Sequence, residues 1–190
     1  LTAPLPLIWL RKWFIPTQGF SSLQSFEIEQ KYRCKNLALF RARLRRLKAR
    51  FVKKGAELNE FWDLNGSLAK RKTVLRLRRH GKTSELTLKG PRLKSRYTKR
   101  IEYETPVDFD PARAILQALG FKLSKKYSKK REVYYLNKVM VTLDTLPRLG
   151  SFVELEGSVQ NIQRAELQLG LSGKDREERS YLHMLFNLKG

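Results

Sequence analysis

Residues Ser25 to Arg33 read SFEIEQKYR, and the alternation inside this stretch decides the architecture. Successive side chains of an extended strand point to opposite faces. Phe26 and Ile28 therefore share one face, while Glu27, Glu29 and Lys31 share the other. A strand face turned to bulk water carries scattered polar residues. Two carboxylates followed by an ammonium form a concentrated charge that needs a counterpart.

The same sorting recurs along the chain. Thr73 to Arg79 (TVLRLRR) sets Arg76 and Arg78 against Leu75 and Leu77, and Ser84 to Lys89 (SELTLK) follows around Gly81 as a hairpin. Arg96 to Thr105 places Arg100, Glu102 and Glu104 opposite Ile101 and Tyr103. Phe121 to Leu136 puts Lys129 and Arg131 on one face, Val139 to Thr145 does so for Thr142 and Asp144, and Ser151 to Glu156 for Glu154 and Glu156. Glu57 to Asp63 (ELNEFWD) reads as a further strand before the turn at Asn65-Gly66. Helical spacing predicts helices over Asn36 to about Arg50, Pro111 to Leu119 with Asp110 as N-cap and Gly120 as stop, Val159 to Leu169, and Asp175 to Leu188.

Like charges two residues apart on a strand stand roughly 6.5 to 7 Å apart, and they repel unless an opposite charge or a ligand lies between them. Closing about eight antiparallel strands into a barrel resolves this, because the charged faces then converge on one axis and the apolar faces turn outward beneath helices. The expected fold is α+β, a closed eight-stranded antiparallel β-barrel with helices outside. Converging guanidinium and ammonium groups suit a polyphosphate. Carboxylates among them call for a divalent cation with a preference for hard oxygen ligands, such as Mg2+ or Mn2+.

Composition narrows the partners. Across 190 residues, 40 Lys and Arg stand against 18 Asp and Glu, a formal charge of +22 that favours polyanions. With 41% apolar residues the chain can build a core, which excludes global disorder. A lone cysteine, Cys34, excludes an internal disulfide, and Cys34, His80 and His183 are too far apart in sequence to suggest a zinc cluster. A reducing, cytoplasmic setting is expected. Residues 1–24 differ in composition and are expected to be a tail, disordered or a weak interfacial anchor built on Trp9, Trp13 and Phe14 beside Arg11 and Lys12. A single domain is expected over residues 25–188.

The ordered series Glu27-x-Glu29-x-Lys31, LRLR, LTLKGP, KRIEYE, KKR, TLD and LGSFVELEG resembles the CYTH superfamily, the triphosphate tunnel metalloenzymes. That superfamily includes class IV (CyaB-type) adenylyl cyclases, thiamine triphosphatases and inorganic triphosphatases. LPRLGSFVELEG followed by SYLHML looks most like the cyclase branch. The resemblance implies metal binding by Glu27, Glu29, Glu154 and Glu156, with Asp144 as a further ligand or a group behind the ligands. It implies phosphate binding by Lys31, Arg76, Arg78, Lys89, Arg100, Lys129 and Arg131. Lys31, Glu102, Glu104 and Arg131 would act in catalysis, Glu102 and Glu104 by tuning the cations, holding a second metal or orienting water.

The implied reaction is metal-dependent hydrolysis of a triphosphate, inorganic, thiamine-linked or nucleoside-linked; the alternative is cyclisation of ATP to cyclic AMP and pyrophosphate. A basic RNA-binding module is the non-enzyme alternative, but it leaves seven carboxylates on the cationic faces without a purpose. Other expected partners are nucleic acid or anionic membrane at the basic helix 41–54, and a second copy in a homodimer. Tyr127, Tyr134 and Tyr135 read as wall or core residues.

Overall fold

The computed structural model describes residues 25–186, so the expected tail and positions 187–188 lie outside the described residues. Eight long strands form its wall: β1 (Ser25–Cys34), β2 (Arg50–Asp63), β3 (Val74–His80), β4 (Thr83–Lys89), β5 (Thr98–Pro106), β6 (Lys122–Leu136), β7 (Val139–Leu146) and β8 (Gly150–Glu156). Their order is β5-β4-β3-β2-β6-β7-β8-β1, and β1 pairs again with β5. The ring is closed, and each of these pairings is antiparallel.

Helices α1 (Leu37–Arg46), α2 (Ser67–Lys70), α3 (Phe109–Ala118), α4 (Val159–Leu169) and α5 (Tyr181–Phe186) accompany the wall. The apolar strand faces turn outward, as alternation requires. Val141, Leu143, Val153 and Leu155 meet Phe40 and Leu44 of α1 and Ile162, Ala165 and Leu169 of α4 in the main core. Trp62 and Leu77 meet Phe109, Ala112 and Leu116 of α3 in a second. Each fully buried side chain of this size contributes about 1.5–3 kcal/mol, so helices and wall hold each other in place.

Several boundaries differ from expectation for physical reasons. Asn36 caps α1 by accepting from the amides of Ala38 and Leu39, but the helix ends at Arg46 because Lys48 takes a left-handed conformation (φ 54). The chain then enters β2 at Arg50, seven residues before the expected strand, pairing Arg50 with Tyr135. The basic segment 41–54 is therefore half helix and half strand. Helix α3 begins two residues early, with Asp108 at the N-cap position and Pro111 in the first turn, where its missing N–H costs nothing.

The expected closing helix 175–188 is broken. A 3-10 turn (Gly173–Asp175) leads to a two-residue strand β9 (Arg176–Glu177) on β1, and only then to α5. Glu177 accepts from Arg33 and Arg179, which fixes this extended piece. Phe26 also departs from expectation. It is 49% exposed beneath the Lys99 ammonium, while Ile28 packs on the main core. Gly81 (φ 63) supplies the tight turn between β3 and β4.

Candidate active site

The register brings the charged faces together inside the barrel. On β1 and β8, Lys31 stands across from Glu154 and Glu29 across from Glu156. Lys31 reaches Glu154 at 3.1 Å. Going round the wall, Glu27 faces Arg100 on β5, Lys89 on β4 faces Glu102, and Arg131 on β6 faces Asp144 on β7.

The cations divide into two groups. Lys129 and Arg131 converge on Asp144, at 3.0 and 2.6 Å, and Arg131 also pairs with Glu154. Asp144 is fully buried and accepts as well from the Tyr181 hydroxyl at 3.0 Å. On the other side, Lys89 holds Glu27 at 2.7 Å and Glu102 at 3.0 Å. Arg76 lies 3.7 Å from Glu104, and Arg78 bonds Glu85 and lies 3.2 Å from Glu104. Glu102 and Glu104 are thus paired with Lys89, Arg76 and Arg78.

The electrostatics differ from one carboxylate to the next. Burial raises the pKa of Glu29, and the neighbouring charges of Glu27 and Glu154 raise it further. Burial likewise raises Glu27 against the pull of Lys89. At Glu154 burial works upward too, yet Lys31, Lys129 and Arg131 outweigh it and hold the group well below the usual range. Buried Nε atoms of Arg76 and Arg100 have no hydrogen-bond partner, and Arg100 makes no ion pair among the described residues.

The donor set Glu27, Glu29, Glu154 and Glu156 is all oxygen and clusters on neighbouring strands, which fits a hard divalent cation in kind. The crowding at Glu29 is the observation that favours one: an ionised carboxylate between two others is stabilised by positive charge. No group of three or more His, Cys, Asp and Glu stands at metal-ligand spacing among the described residues. Lys89 draws Glu27 aside and Lys31 and Arg131 draw Glu154, so both carboxylates must exchange partners to bind metal. Asp144 spends its oxygens on Lys129, Arg131 and Tyr181.

Sequence reasoning missed three participants. Glu57 is 1% exposed and pairs with Lys129 at 3.3 Å, Arg131 at 3.6 Å and Arg78 at 4.0 Å. Burial raises its pKa, but these cations more than offset that and hold it well below the carboxylate range. Glu85 joins Arg78 in the same way. Tyr181 of α5 enters the barrel, its ring 4.4 Å from the Lys31 ammonium and 4.6 Å from that of Lys129. With Phe152, Leu146 and Met184 it closes the end of the barrel where β7 turns into β8. Tyr127 stacks on Phe61 at 5.5 Å in the same wall, and Tyr134 packs against Phe51, as expected of wall residues. Glu57 was findable by extending the alternation through ELNEFWD; Tyr181 carried no such signal.

Comparison with known proteins agrees with this arrangement. The CYTH domain profile matches residues 25–181. Adenylate cyclase CyaB of Aeromonas hydrophila is 29% identical over 170 residues, 82% of this chain and 86% of that protein. The structure of PH1819 from Pyrococcus horikoshii OT3 is similar at a TM-score of 0.72 and 28% identity, covering 86% of this chain and 99% of that one. HpAC1 from Hippeastrum, whose structure is described as revealing a dominant triphosphatase activity, has a TM-score of 0.62 at 17% identity, covering 87% and 96%; that likeness is one of fold.

Proposed function

The chain belongs to the CYTH domain family, and from that premise we propose that its tunnel binds a triphosphate and hydrolyses it with Mg2+ or Mn2+. The carrying observation is the crowding of Glu29 by Glu27 and Glu154 on a wall shared with unsaturated cations. Seven cations on one lining match a polyphosphate, and the carboxylate cluster on β1 and β8 matches the cation that accompanies it.

Each residue then has a task. Arg76, Arg78, Lys89 and Arg100 hold one part of the phosphate chain, and Lys31, Lys129 and Arg131 hold the other. Glu27, Glu29, Glu154 and Glu156 would hold the metal, which when bound supplies positive charge to phosphate oxygens and lowers the pKa of water. Asp144 and Glu57 keep Lys129 and Arg131 aimed inward. Water adds to the terminal phosphorus, the anhydride P–O bond to the next phosphate breaks, and the proton passes to Glu102 or Glu104. The developing charge is met by Lys31 and Arg131.

A second reading has its own support in the similarity to a protein named adenylate cyclase CyaB. In that reaction the ribose 3'-hydroxyl attacks the α-phosphorus and pyrophosphate leaves, with the same lining in the same roles. Product analysis separates the two. Purified protein with Mg2+ or Mn2+ and tripolyphosphate, thiamine triphosphate or ATP is expected to release orthophosphate. Cyclic AMP with pyrophosphate from ATP would establish the second reading instead. Turnover of none of the three would overturn both.

A further inference from the structure

The tunnel does not account for the charge of the molecule. Its seven cations share their strand faces with nine carboxylates: Glu27, Glu29, Glu57, Glu85, Glu102, Glu104, Asp144, Glu154 and Glu156. Taking seven from 40 and nine from 18 leaves 33 basic against nine acidic residues elsewhere in the chain. Several of those acids are already tied, Glu132 to Arg41, Glu166 to Arg176 and Glu60 to Arg113. A binding site for a small anion inside a barrel has no need of such an exterior.

The excess is densest between residues 41 and 54, which hold eight basic residues and no acidic one. Arg45, Arg46 and Lys48 are exposed and make no ion pair among the described residues. Exposed apolar side chains lie among them: Leu39 at 45%, Phe51 at 51% and Val52 at 39%. Along α1, Leu39, Ala42, Arg43 and Arg46 line a shallow groove of about 320 Å3. Cations alone would suit any polyanion. Cations interleaved with exposed apolar groups suit a surface that is anionic outside and apolar beneath.

Topology adds an independent observation. One cross-strand row runs Arg50 to Tyr135, Tyr135 to Met140, Met140 to Glu156 and Glu156 to Glu29. The start of β2 and the start of β1 therefore lie at the same end of the barrel. The 24 residues that precede β1 contain Trp9, Trp13 and Phe14 beside Arg11 and Lys12, a second stretch of interfacial composition. It joins the barrel at the end where Lys48, Arg50 and Phe51 are displayed.

We propose that this end of the barrel, carried by Arg45, Arg46, Lys48, Phe51 and Val52, docks on an anionic lipid surface. The enzyme site then sits in a barrel held against a membrane, with the tunnel lining uninvolved in the attachment.

The test is co-sedimentation of the full chain with vesicles of phosphatidylcholine alone or with phosphatidylserine at about a third of the lipid. Binding is expected only to the anionic vesicles and weakens as salt rises from about 0.1 M to about 0.5 M. Changing Arg45, Arg46 and Lys48 together to Gln is expected to weaken it by on the order of 100-fold, since each basic residue near the surface contributes about fivefold. Phe51→Ser with Val52→Ser is expected to weaken vesicle binding while leaving retention of a single-stranded RNA oligonucleotide unchanged. The variants' thermal unfolding and far-ultraviolet circular dichroism serve as folding controls. Equal binding to both vesicle types, no vesicle binding, or full binding by the Gln variant would overturn the proposal. RNA retention with no vesicle binding would assign the surface to nucleic acid. Triphosphate turnover is read separately, so its failure does not bear on the lipid result.

Discussion

Glu29 and Glu156 stand directly opposite each other across β1 and β8, a like-charged cross-strand pair in a wall otherwise built of opposite charges. Such a pair destabilises a sheet by a few tenths to about 1 kcal/mol when both groups are ionised. The sequence keeps it in the place where metal is proposed to bind.

Glu29→Gln is therefore expected to raise the melting temperature of the metal-free protein by about 2–4 °C while lowering metal-dependent turnover by at least about 100-fold. The raised pKa of Glu29 fixes the pH dependence. Below the unfolded value near 4.5 both states are protonated and the variant gains nothing; the gain grows as pH rises above it, where the unfolded carboxyl ionises while the folded one still holds its proton. Unfolding curves at pH 4 and pH 7 with and without Mn2+ check this. Equal stability of both forms at pH 7 would remove the repulsion from the argument.

Glu57 works in the opposite sense. It neutralises Lys129, Arg131 and Arg78 from a fully buried position. Glu57→Gln leaves three cations without their shared counter-ion, a loss of about 3–5 kcal/mol for a broken buried pair. Added tripolyphosphate is expected to restore much of the lost melting temperature, because it binds the folded state and supplies the missing negative charge. Differential scanning fluorimetry across a ligand titration reads both effects.

Arg100 offers the contrast of a residue with no structural partner to lose. Its guanidinium makes no ion pair among the described residues and its Nε is buried without a hydrogen bond. Arg100→Gln is expected to change stability by less than about 0.5 kcal/mol while raising the KM for triphosphate about tenfold or more, the scale of a lost charge-assisted hydrogen bond. A large drop in melting temperature with unchanged KM would show a structural role instead.

His80 gives the fold a second pH dependence. It is 5% exposed, and burial together with the nearby Lys53 ammonium pushes its pKa down to about 4. The unfolded imidazole titrates near 6.5, so stability is fully present above that value and is lost as pH falls from 6.5 towards 4, by on the order of 3 kcal/mol. His80→Asn is expected to flatten that part of the profile in urea unfolding. An unchanged slope between pH 6.5 and 5 would assign it to other groups.

Tyr181 separates a hydroxyl from a ring. Tyr181→Phe removes only the bond to Asp144 and is expected to cost about 1–3 kcal/mol, because a buried acceptor loses a donor. Tyr181→Ala also removes the ring from beneath Lys31 and Lys129 and is expected to cost about 3–5 kcal/mol. Equilibrium unfolding of the two variants measures the difference.

Much of the barrel was legible because its signal has a period of two. Glu27, Glu29 and Lys31, or Arg76 and Arg78, announce a shared face without knowledge of their neighbours. What escaped depends on contacts between distant segments. The left-handed Lys48 that ends α1 lies in a run of residues with good helical spacing, and β2 begins early because β6 is long enough to pair with it. Glu57 needs the register with β6 to acquire its meaning. Tyr181 sits on a six-residue helix whose path is set by Glu177 holding Arg33 and Arg179. No local pattern encodes that path.

The closure of the ring by β1 has a consequence for how the protein comes to be folded. Strands β2 to β5 and β6 to β8 pair as sequence neighbours and β2 joins β6 across the middle of the chain, but β1 must find β5 on one side and β8, more than a hundred residues later, on the other. Until it inserts, the sheet has two open edges, and open edges pair readily with other chains. Distant pairings of this kind are also the slow ones. The strand that carries Glu27, Glu29 and Lys31 is thus the stave on which closure depends, and a sheet without it lacks both its closed wall and the proposed metal-binding face.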